Sequence, residues 1–376
     1  MNEREIRRDI AEDVRRLVVK IGSNLLVSLG MGLNTDLISD LVSQIAQLRR
    51  NGYQIVVVSS GAIAAGMDRL QLARRPKTIA ELQAAAAIGQ SRLMHLYEQA
   101  FEPWGITVGQ VLLTHDDIRD RKRYINGRNT LMTLLALGIV PIVNENDSVV
   151  VEEIKVGDND TLAALVSALV DAQLLVILTD IDGLYTADPN SGGTLISLVK
   201  TVKREVENMA RGSHTEIGIG GMTTKVAAAR LAARCAIPTI VASGRSRGVI
   251  NAIVAGDEIG TLFLPENRKL RGKKRWIGTT RRCKGVLQVD EGAYGALTEG
   301  GKSLLPTGIT AVAGDFGRGD MVSCADEDGN EFARGLVNYD ARELQQIMGQ
   351  RSSRIEEILG YKYTDEVIHR DNLVLM

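Results

Sequence analysis

The sequence predicts an α/β protein, a three-layer αβα sandwich with a mainly parallel sheet, followed by a small β-rich domain. Two observations support this prediction. Between residues 17 and 264, short apolar runs alternate with longer Ala- and Leu-rich stretches, as buried strands alternate with helices. After Pro265 the chain changes to short strand-like pieces separated by Gly, Asp and Asn turns. We therefore expect two domains within the 376 residues.

Six segments of the first region are expected to form the buried strands, namely RLVVKIG, YQIVVVSSG, ITVGQVLLT, GIVPIVNEN, QLLVILTD and IPTIVASG. They are apolar and lack the period-two alternation of a strand with one solvated face. Five longer stretches lie between these segments and are expected to be helices. They are LISDLVSQIAQLRRNG, TIAELQAAAAIGQSRLMHLYEQAF, RYINGRNTLMTLLALG, TLAALVSALVDA and TKVAAARLAARCA.

The change near Pro265 sets the expected domain boundaries. Residues 14–266 are expected to form the α/β domain, and residues 284–360 the β-rich domain. The strand-like pieces of the second domain are GVLQVDEGAYGAL, SLLPTGITAVAG, DMVSCADEDG and EFARGLVNY. Residues 267–283 are interpreted as a basic, solvated linker, with a contact to a polyanion as the alternative.

Charge and composition exclude several classes of protein. The chain has 45 basic and 46 acidic residues, and this net charge of −1 argues against wholesale nucleic-acid binding. Its three cysteines are scattered and its four histidines are isolated, so we expect no disulfide framework and no metal site formed by the protein. A reducing cytoplasm fits this cysteine usage. The N-terminus lacks the apolar core of a secretory signal, and the apolar stretch Leu162–Leu178 is interrupted by Asp171 and Gln173, so no membrane span is expected.

Polar residues follow four of the predicted strands. In an open α/β sheet, ligands bind at the carboxyl ends of the strands, so one edge of this sheet is expected to carry a site. The residues at these ends are Lys20, Gly22 and Ser23; Ser59, Ser60 and Gly61; Asn144, Asn146 and Asp147; and Thr179 and Asp180.

A glycine-rich segment precedes the last predicted helix. Gly218, Gly220 and Gly221 lie just before Thr223, with Lys225 in the first helical turn. Backbone N–H groups and a helix N-terminus together attract an anion, although a plain helix-entry turn would have the same pattern. Lys20 lies in an otherwise apolar strand, where an unpaired ammonium would be costly to bury. Two lysines that face one phosphoryl group would supply the charge that phosphoryl transfer needs.

The segment GDND crowds Asp158, Asn159 and Asp160 at the start of a strongly helical stretch. One such residue is explained as a helix cap, but capping does not require all three. Carboxylates at this position can accept an ammonium group and fix the lysines.

Seven motifs, in the order VVKIGSNLL, VVVSSGAIAAG, RNTL, PIVNENDSV, VGDNDTLAALVSALV, VILTDIDGLYTADP and IGIGGMTTKVAAA, run along the first region. In wording and order they resemble the amino acid kinase superfamily, and within it the glutamate 5-kinases. The segment from Lys284 to Leu359, with VDEGAYGAL and GKSLLPTGITAVAG, resembles a PUA domain.

The resemblance implies a phosphotransferase that uses ATP and Mg²⁺ to phosphorylate the γ-carboxylate of L-glutamate, the first step of proline synthesis. It implies that Lys20 and Lys225 stabilise the transferring phosphoryl group and that Asp160 orients both lysines. It assigns the amino-acid pocket to Ser60, Asn144, Asp147, Asp158 and Asn159. It assigns the ATP site to Lys20, Thr179, Asp180, Ile219, Gly220, Gly221, Met222, Thr223, Thr224 and Lys225.

The chain departs from the family at one position, because it reads GIGGM where the family usually reads GTGGM, and Ile219 therefore lacks a hydroxyl. The resemblance also implies feedback inhibition by proline and a homo-oligomer, either a dimer or a tetramer. Two alternatives stay open. A sister kinase would use N-acetylglutamate, aspartate, carbamate or UMP as acceptor, and an RNA-binding or RNA-modifying protein is the second alternative because PUA domains elsewhere belong to such enzymes.

Overall fold

A computed structural model describes residues 2–28, 32–72, 74–149, 159–188, 191–212, 221–265 and 283–375. The chain divides into two compact units. The first comprises residues 1–119 and 126–269, and the second comprises residues 120–125 and 270–376. The basic linker predicted at 267–283 lies outside the described residues, apart from Cys283.

The first unit is organised around one large sheet. Its eight described strands have the order β5-β6-β4-β1-β7-β9-β10-β8, and each pairing is parallel except that of β10 with β9. The predicted mainly parallel sheet is therefore confirmed. The strands are β1 (Arg16–Ile21), β4 (Gln54–Ser59), β5 (Val108–Leu113), β6 (Val140–Glu145), β7 (Leu174–Thr179), β8 (Leu198–Val199), β9 (Thr239–Ser243) and β10 (Thr261–Phe263), and a separate small hairpin pairs β2 (Val27–Ser28) with β3 (Gly32–Leu33).

Helices cover this sheet, and the five predicted helices are confirmed as α3, α5, α7, α8 and α10. No helix among the described residues is long and apolar enough to cross a membrane. The helices of this part of the chain are α1 (Glu3–Asp13), α2 (Ser23–Leu26), α3 (Thr35–Arg50), α4 (Ala62–Arg69), α5 (Ile79–Phe101), α6 (His115–Arg119), α7 (Arg121–Ala136), α8 (Asn159–Leu169), α9 (Arg204–Gly212), α10 (Met222–Arg234) and α11 (Val249–Val254), with a 3₁₀ turn at Glu102–Trp104.

The pleat of β1 sorts its side chains between two layers. Leu17, Val19 and Ile21 enter the apolar core with residues of α3, α5 and α11. Because side chains alternate along a strand, Val18 and Lys20 point to the opposite face, where α8 packs on β1 and α10 packs on α8. The lysine is therefore directed at the second helical layer and away from the larger apolar cluster.

Local sequence explains where the long helices begin. The side chain of Asn34 accepts a hydrogen bond from the backbone N–H of Leu37 at the start of α3. Thr78 and Glu81 form a reciprocal capping box at the start of α5. These caps satisfy backbone donors that have no partner within the helix.

Helices α4 and α5 cross at very short range. A Cβ built on Gly66 would lie 1.8 Å from the carbonyl oxygen of Ala85, and one built on Gly89 would lie 1.8 Å from that of Ala62. Only glycine permits such an approach of two helix backbones. The crossing therefore fixes the position of α5 over the sheet.

The second unit has its own five-stranded sheet among its described residues, in the order β12-β11-β13-β14-β15. Its core includes Leu287, Val322 and Tyr339. The elements are β11 (Gly285–Val289), α12 (Glu291–Thr298), β12 (Ile309–Gly314), β13 (Met321–Ala325), β14 (Glu331–Leu336), α13 (Ala341–Ile347), α14 (Ile355–Leu359) and β15 (Leu373–Leu375), with 3₁₀ turns at Pro306–Gly308, Ser352–Arg354 and Arg370–Asn372.

One strand-like piece of the second unit is corrected by the structure. The stretch GVLQVDEGAYGAL was expected to be extended throughout, but only its first five residues form a strand, and Glu291–Thr298 is a helix. The physical reason is Asp290, whose side chain accepts a hydrogen bond from the backbone N–H of Ala293 and caps that helix.

The helix crossing gives a testable prediction. Gly89→Ala should lower the free energy of unfolding by about 1–3 kcal/mol or more, because the added methyl collides with backbone that cannot rotate away. Gly127→Ala on α7 is the matched control, since its Cβ would meet the nearest atom, a Leu113 methyl, at 3.5 Å. This control should be neutral or more stable by up to about 1 kcal/mol. Urea midpoints followed by circular dichroism measure both, and equal effects would contradict the assigned role of the crossing.

Candidate active site

Side chains from several strand ends meet in the first unit. Lys20 is the penultimate residue of β1, Asn144 lies near the end of β6, and Thr179 is the last residue of β7. Ser60 follows β4 directly, and its backbone N–H donates to the carbonyl of Ile21 at 3.2 Å. The polar residues that were expected at one edge of the sheet therefore do lie at the carboxyl ends of its strands.

At the centre of this edge one carboxylate holds two lysines. Nζ of Lys20 lies 2.5 Å from Oδ1 of Asp160, and Nζ of Lys225 lies 3.3 Å from Oδ2. The Asp160 side chain is only 2% exposed and each lysine side chain 6% exposed. Oγ1 of Thr224 also donates to Oδ2 at 2.8 Å. We call Lys20, Asp160 and Lys225 the charged cluster.

The pKa of each partner reflects this mutual dependence. Burial alone would raise the pKa of Asp160, but the charges of Lys20 and Lys225 and the hydrogen bonds from Lys20 and Thr224 lower it to about 2. Burial lowers the pKa of Lys225, and the charge of Asp160 opposes that effect. Asp160 is therefore ionised at neutral pH, as an anchor for two cations must be.

A second cluster, made of neutral amides, lies beside the first. Asn159 is the residue before Asp160 at the start of α8 and is 8% exposed. Its Nδ2 donates to Oδ1 of Asn144 at 2.9 Å and to Oγ of Ser60 at 3.0 Å. Nδ2 of Asn144 in turn donates to Oε1 of Gln90, on α5, at 2.8 Å. We call Gln90, Asn144, Asn159 and Ser60 the amide cluster.

Asp147 follows β6, shortly after Asn144 in the sequence. Burial raises its pKa to about 7, the negative charge of Glu145 adds to that rise, and the charge of Arg75 opposes it. Its ordinary pKa is 3.8. In the free protein this group therefore changes charge near neutral pH.

Two further predicted residues lie at the end of β7. Oγ1 of Thr179 donates to Oδ1 of Asp180 at 3.0 Å, and Nδ2 of Asn24, on α2, donates to Oδ2 at 3.2 Å. The charge of Asp180 is also felt by Lys225. These side chains therefore belong to the half of the site that contains the lysines.

Helix α10 points its N-terminus into the same half. Gly221 is its N-cap and makes no side-chain cap hydrogen bond, and no described atom would meet a Cβ at that position within 4 Å. Met222, Thr223 and Thr224 form the first turn, so their backbone N–H groups and the helix dipole favour an anion there. The predicted residues Asp158, Ile219 and Gly220 lie outside the described residues.

Sequence reasoning missed several members of the site. Gln90 lies in the Ala-rich interior of α5, and Asn24 in a short helix after β1, where amide side chains are common and carry no signal. Arg75 lies in a polar loop before α5. Glu145 lies between two residues of the PIVNENDSV motif, and its carboxylate is 3.4 Å from Nδ1 of His115. The position of Glu145 between Asn144 and Asn146, two of the polar residues at this strand end, is the only sequence signal among these four residues.

Within the described ranges, no group of three or more His, Cys, Asp or Glu side chains lies at ligand spacing. The charged cluster and the helix N-terminus are instead suited to bind an anion, and the amide cluster a small polar molecule.

Comparisons with known proteins agree with this chemistry. A family model described as "Amino acid kinase family" matches residues 15–243, and one described as "PUA domain" matches residues 285–359. A curated glutamate 5-kinase of Geobacter sulfurreducens is 52% identical over 373 residues, 99% of this chain and 100% of the relative. The glutamate 5-kinase of Trichlorobacter lovleyi is also 52% identical, over 99% of both chains. That of Nitrosococcus oceani is 51% identical, over 96% of this chain and 97% of the relative.

Proposed function

The chain belongs to the amino acid kinase family, and from this membership and the geometry of the site we propose that it phosphorylates the γ-carboxylate of L-glutamate with ATP. The products are L-glutamyl 5-phosphate and ADP, in the first step of proline synthesis from glutamate. The observation that carries the proposal is the buried charged cluster beside a neutral amide cluster, in a chain 52% identical to glutamate 5-kinases over almost its full length.

The amide cluster and Asp147 are proposed to bind glutamate. An amino acid presents an ammonium and a carboxylate on one carbon, and neutral amides match such paired donors and acceptors without adding net charge. Ionised Asp147 would accept a hydrogen bond from the ammonium group. Ser60, Asn144 and Asn159 would hold the backbone end of glutamate, and Asp158 is assigned to the same pocket by resemblance.

The charged cluster is proposed to act on the phosphoryl group. Catalysis of phosphoryl transfer rests on positioning and on neutralising the negative charge of the transferred group. Lys20 and Lys225 would contact phosphate oxygens from two sides, with Asp160 keeping both ammonium groups in place. The γ-carboxylate of glutamate is already ionised at neutral pH, so the attack on the γ-phosphorus requires no general base.

The nucleotide would occupy the half of the site near α10. Thr179, Asp180 and the loop Ile219–Lys225 are assigned to it by resemblance, and the backbone N–H groups in the first turn of α10 would bind phosphates. Mg²⁺ would be bound together with the nucleotide and would supply positive charge that neutralises its phosphates. Ile219 contributes no hydroxyl, so the backbone of this loop would make the contacts.

Several finer features stay proposals. We place the catalytic domain at 14–266, the basic linker at 267–283 and the PUA-like domain at 284–360. We further propose a cytoplasmic homo-oligomer, a dimer or a tetramer, that proline inhibits by competing for the glutamate pocket.

A second candidate function concerns the second unit alone. The guanidinium of Arg318 lies over the ring of Tyr363 at 3.8 Å from its centroid, and the rings of Tyr363 and Tyr361 meet edge to face with their centroids 4.9 Å apart. Tyr361 and Tyr363 are 39% and 47% exposed. Exposed aromatic and arginine surfaces can stack on unpaired bases, so RNA contact through this unit is the alternative to a purely structural role.

Turnover measured in parallel reactions, each with a different acceptor, tests the proposed function. Purified protein with ATP and Mg²⁺ should form a hydroxamate from hydroxylamine only when L-glutamate is supplied, because hydroxylamine traps an acyl phosphate. N-acetylglutamate, aspartate and UMP in separate reactions are the controls. A preference for another acceptor would keep the kinase and reject the glutamate pocket, and activity with none would favour the RNA alternative.

Replacing Lys225 tests whether this lysine acts on the transferring phosphoryl group and not on glutamate binding. Lys225→Ala should lower kcat on the order of 10²–10³-fold, with little change in the KM for glutamate, since the lysine is proposed to act on the transferring group. Lys203→Ala, at an exposed position of the same unit, is the control. A melting temperature confirms that each variant folds. A change confined to KM would remove Lys225 from the catalytic role.

The raised pKa of Asp147, about 7, predicts a pH dependence of binding. The carboxyl is neutral below that pH and ionised above it, so the KM for glutamate should fall as the pH rises from about 6 to 8 at saturating Mg-ATP. Asp147→Asn should have a high KM for glutamate that does not change across this pH range.

The same raised pKa affects stability. Between about pH 4 and 7 the folded free protein holds a proton that the unfolded chain releases, so this group lowers the free energy of unfolding as the pH rises through that range.

An unchanged pH profile in Asp147→Asn would contradict the assignment of the titrating group. The KM for ATP serves as the internal control, because Asp147 is proposed to contact only the amino acid.

A further inference from the structure

We propose that Gln90, on α5, is a specificity-determining residue that donates a hydrogen bond from Nε2 to the α-carboxylate of the amino-acid substrate. The inference rests on the proposed function and extends it to a residue that neither the motifs nor the family resemblance assigned. It follows from the direction of the hydrogen bonds through the amide cluster.

The direction is set by a backbone donor. The N–H of Glu145 donates to the side-chain oxygen of Asn144 at 2.8 Å. A backbone N–H can only donate, so the atom of Asn144 that faces it must be Oδ1. The other side-chain atom of Asn144 is therefore Nδ2, and the atom of Gln90 that it meets at 2.8 Å must be the acceptor Oε1.

This assignment leaves Nε2 of Gln90 as a donor. Gln90 is 9% exposed, and its Nε2 is buried with no hydrogen-bond partner among the described residues. Amide geometry places that nitrogen beside Oε1, and hence next to the amide cluster. A buried donor without an acceptor costs free energy unless a ligand completes it.

The same reasoning gives the polarity of Asn159. Its Nδ2 faces Oδ1 of Asn144 at 2.9 Å, so that atom must donate. Its Oδ1 is then an acceptor, and this oxygen is also buried without a partner among the described residues. The amide cluster thus ends in one unused donor and one unused acceptor.

An α-amino acid supplies the matching pair of groups. Its carboxylate accepts hydrogen bonds and its ammonium donates them, and both are attached to one carbon atom. The carboxylate is therefore assigned to Nε2 of Gln90 and the ammonium to Oδ1 of Asn159. Fixing this end of glutamate leaves the γ-carboxylate free to extend toward the charged cluster.

Gln90 is held firmly enough for this role. Gly89, its neighbour, makes the close backbone contact with α4. About two turns further along α5, the helix is tied to the sheet, where the hydroxyl of Tyr97 is hydrogen-bonded to Oγ of Ser59 at 2.8 Å. The amide of Gln90 is therefore positioned by two anchors on a rigid helix, as a specificity contact requires.

Gln90→Glu separates this role from a structural one. Glutamate at this position keeps an oxygen to accept from Asn144 but replaces the donor by a second, negatively charged acceptor. With L-glutamate at pH 8, Gln90→Glu should raise the KM about 10- to 100-fold while the KM for ATP changes little. Gln99→Glu, the same substitution at an exposed position of α5, should behave as the wild type.

A substrate analogue provides the readout that a purely structural role would not change. The α-carboxamide of L-glutamate is neutral and carries an NH2 group in place of one of the two α-carboxylate oxygens, so Gln90→Glu should increase the ratio of kcat/KM for this analogue to that for glutamate. An equal loss with both acceptors, or no change in KM, would overturn the inference.

Gln90→Met covers the case in which the buried carboxylate prevents folding. It removes the donor without adding charge, so it should raise the KM for glutamate more than the KM for the α-carboxamide, because a charged acceptor loses more than a neutral one. An equal loss with both acceptors would again overturn the inference. A wild-type protein that does not turn over glutamate would refute the proposed function itself, whereas a wild type that does, with unaffected Gln90 variants, would refute only this inference.

Discussion

The ionised carboxylate of Asp160 is the constraint on which the site depends. Two buried lysines cannot remain charged and close together unless an anion lies between them, and Asp160 contacts both at 2.5 and 3.3 Å. The fold meets this requirement with three elements, because Lys20 comes from β1, Asp160 from the first turn of α8, and Lys225 from the first turn of α10. Removing one partner from such a buried cluster typically costs about 3–5 kcal/mol. The packing of α8 and α10 and the charge of the site therefore depend on the same two ion pairs.

This cluster also explains why the site is prepared for an anion. Two ammonium groups face one carboxylate, and the charge of Asp180 reaches Lys225 from further away. Burial lowers the pKa of Lys225, which shows that the environment supplies less stabilisation than water would. Under the proposed function, a phosphoryl group between the lysines would add negative charge, and it would do so most strongly while charge develops during transfer.

The sequence predicted the sheet well because the strands of a parallel sheet are buried on both faces, and continuous apolar runs such as QLLVILTD have few other uses. It also predicted which strand ends carry polar groups. It did not predict α4, whose GAIAAG sequence is too short and too small to indicate a helix crossing, nor the helical turn hidden in DEGAYGAL. The resemblance brought Asp160 and the lysines together by analogy, but their distances depend on the pleat of β1 and on helix packing, which no single-sequence pattern encodes. Gln90 carried no signal, because its role arises from the direction of hydrogen bonds across three elements.

The two halves of the site differ in charge, because ionised side chains line the half near α10 and mainly neutral amides line the half near α5. Under the proposed function, the half near α10 uses full charges because its ligand would be highly charged and would need most stabilisation in the transition state. The half near α5 would use amides because an amino-acid end group has no net charge, and two fixed opposite charges there would each have to be desolvated in the absence of substrate. Asp147 follows the same principle, since burial and the charge of Glu145 raise its pKa to about 7, so that this carboxyl is only partly ionised near that pH in the free protein. Amides have a direction but no charge, so the selectivity of this half is encoded in which atom donates to which. A single backbone N–H, that of Glu145, sets the direction of the whole cluster.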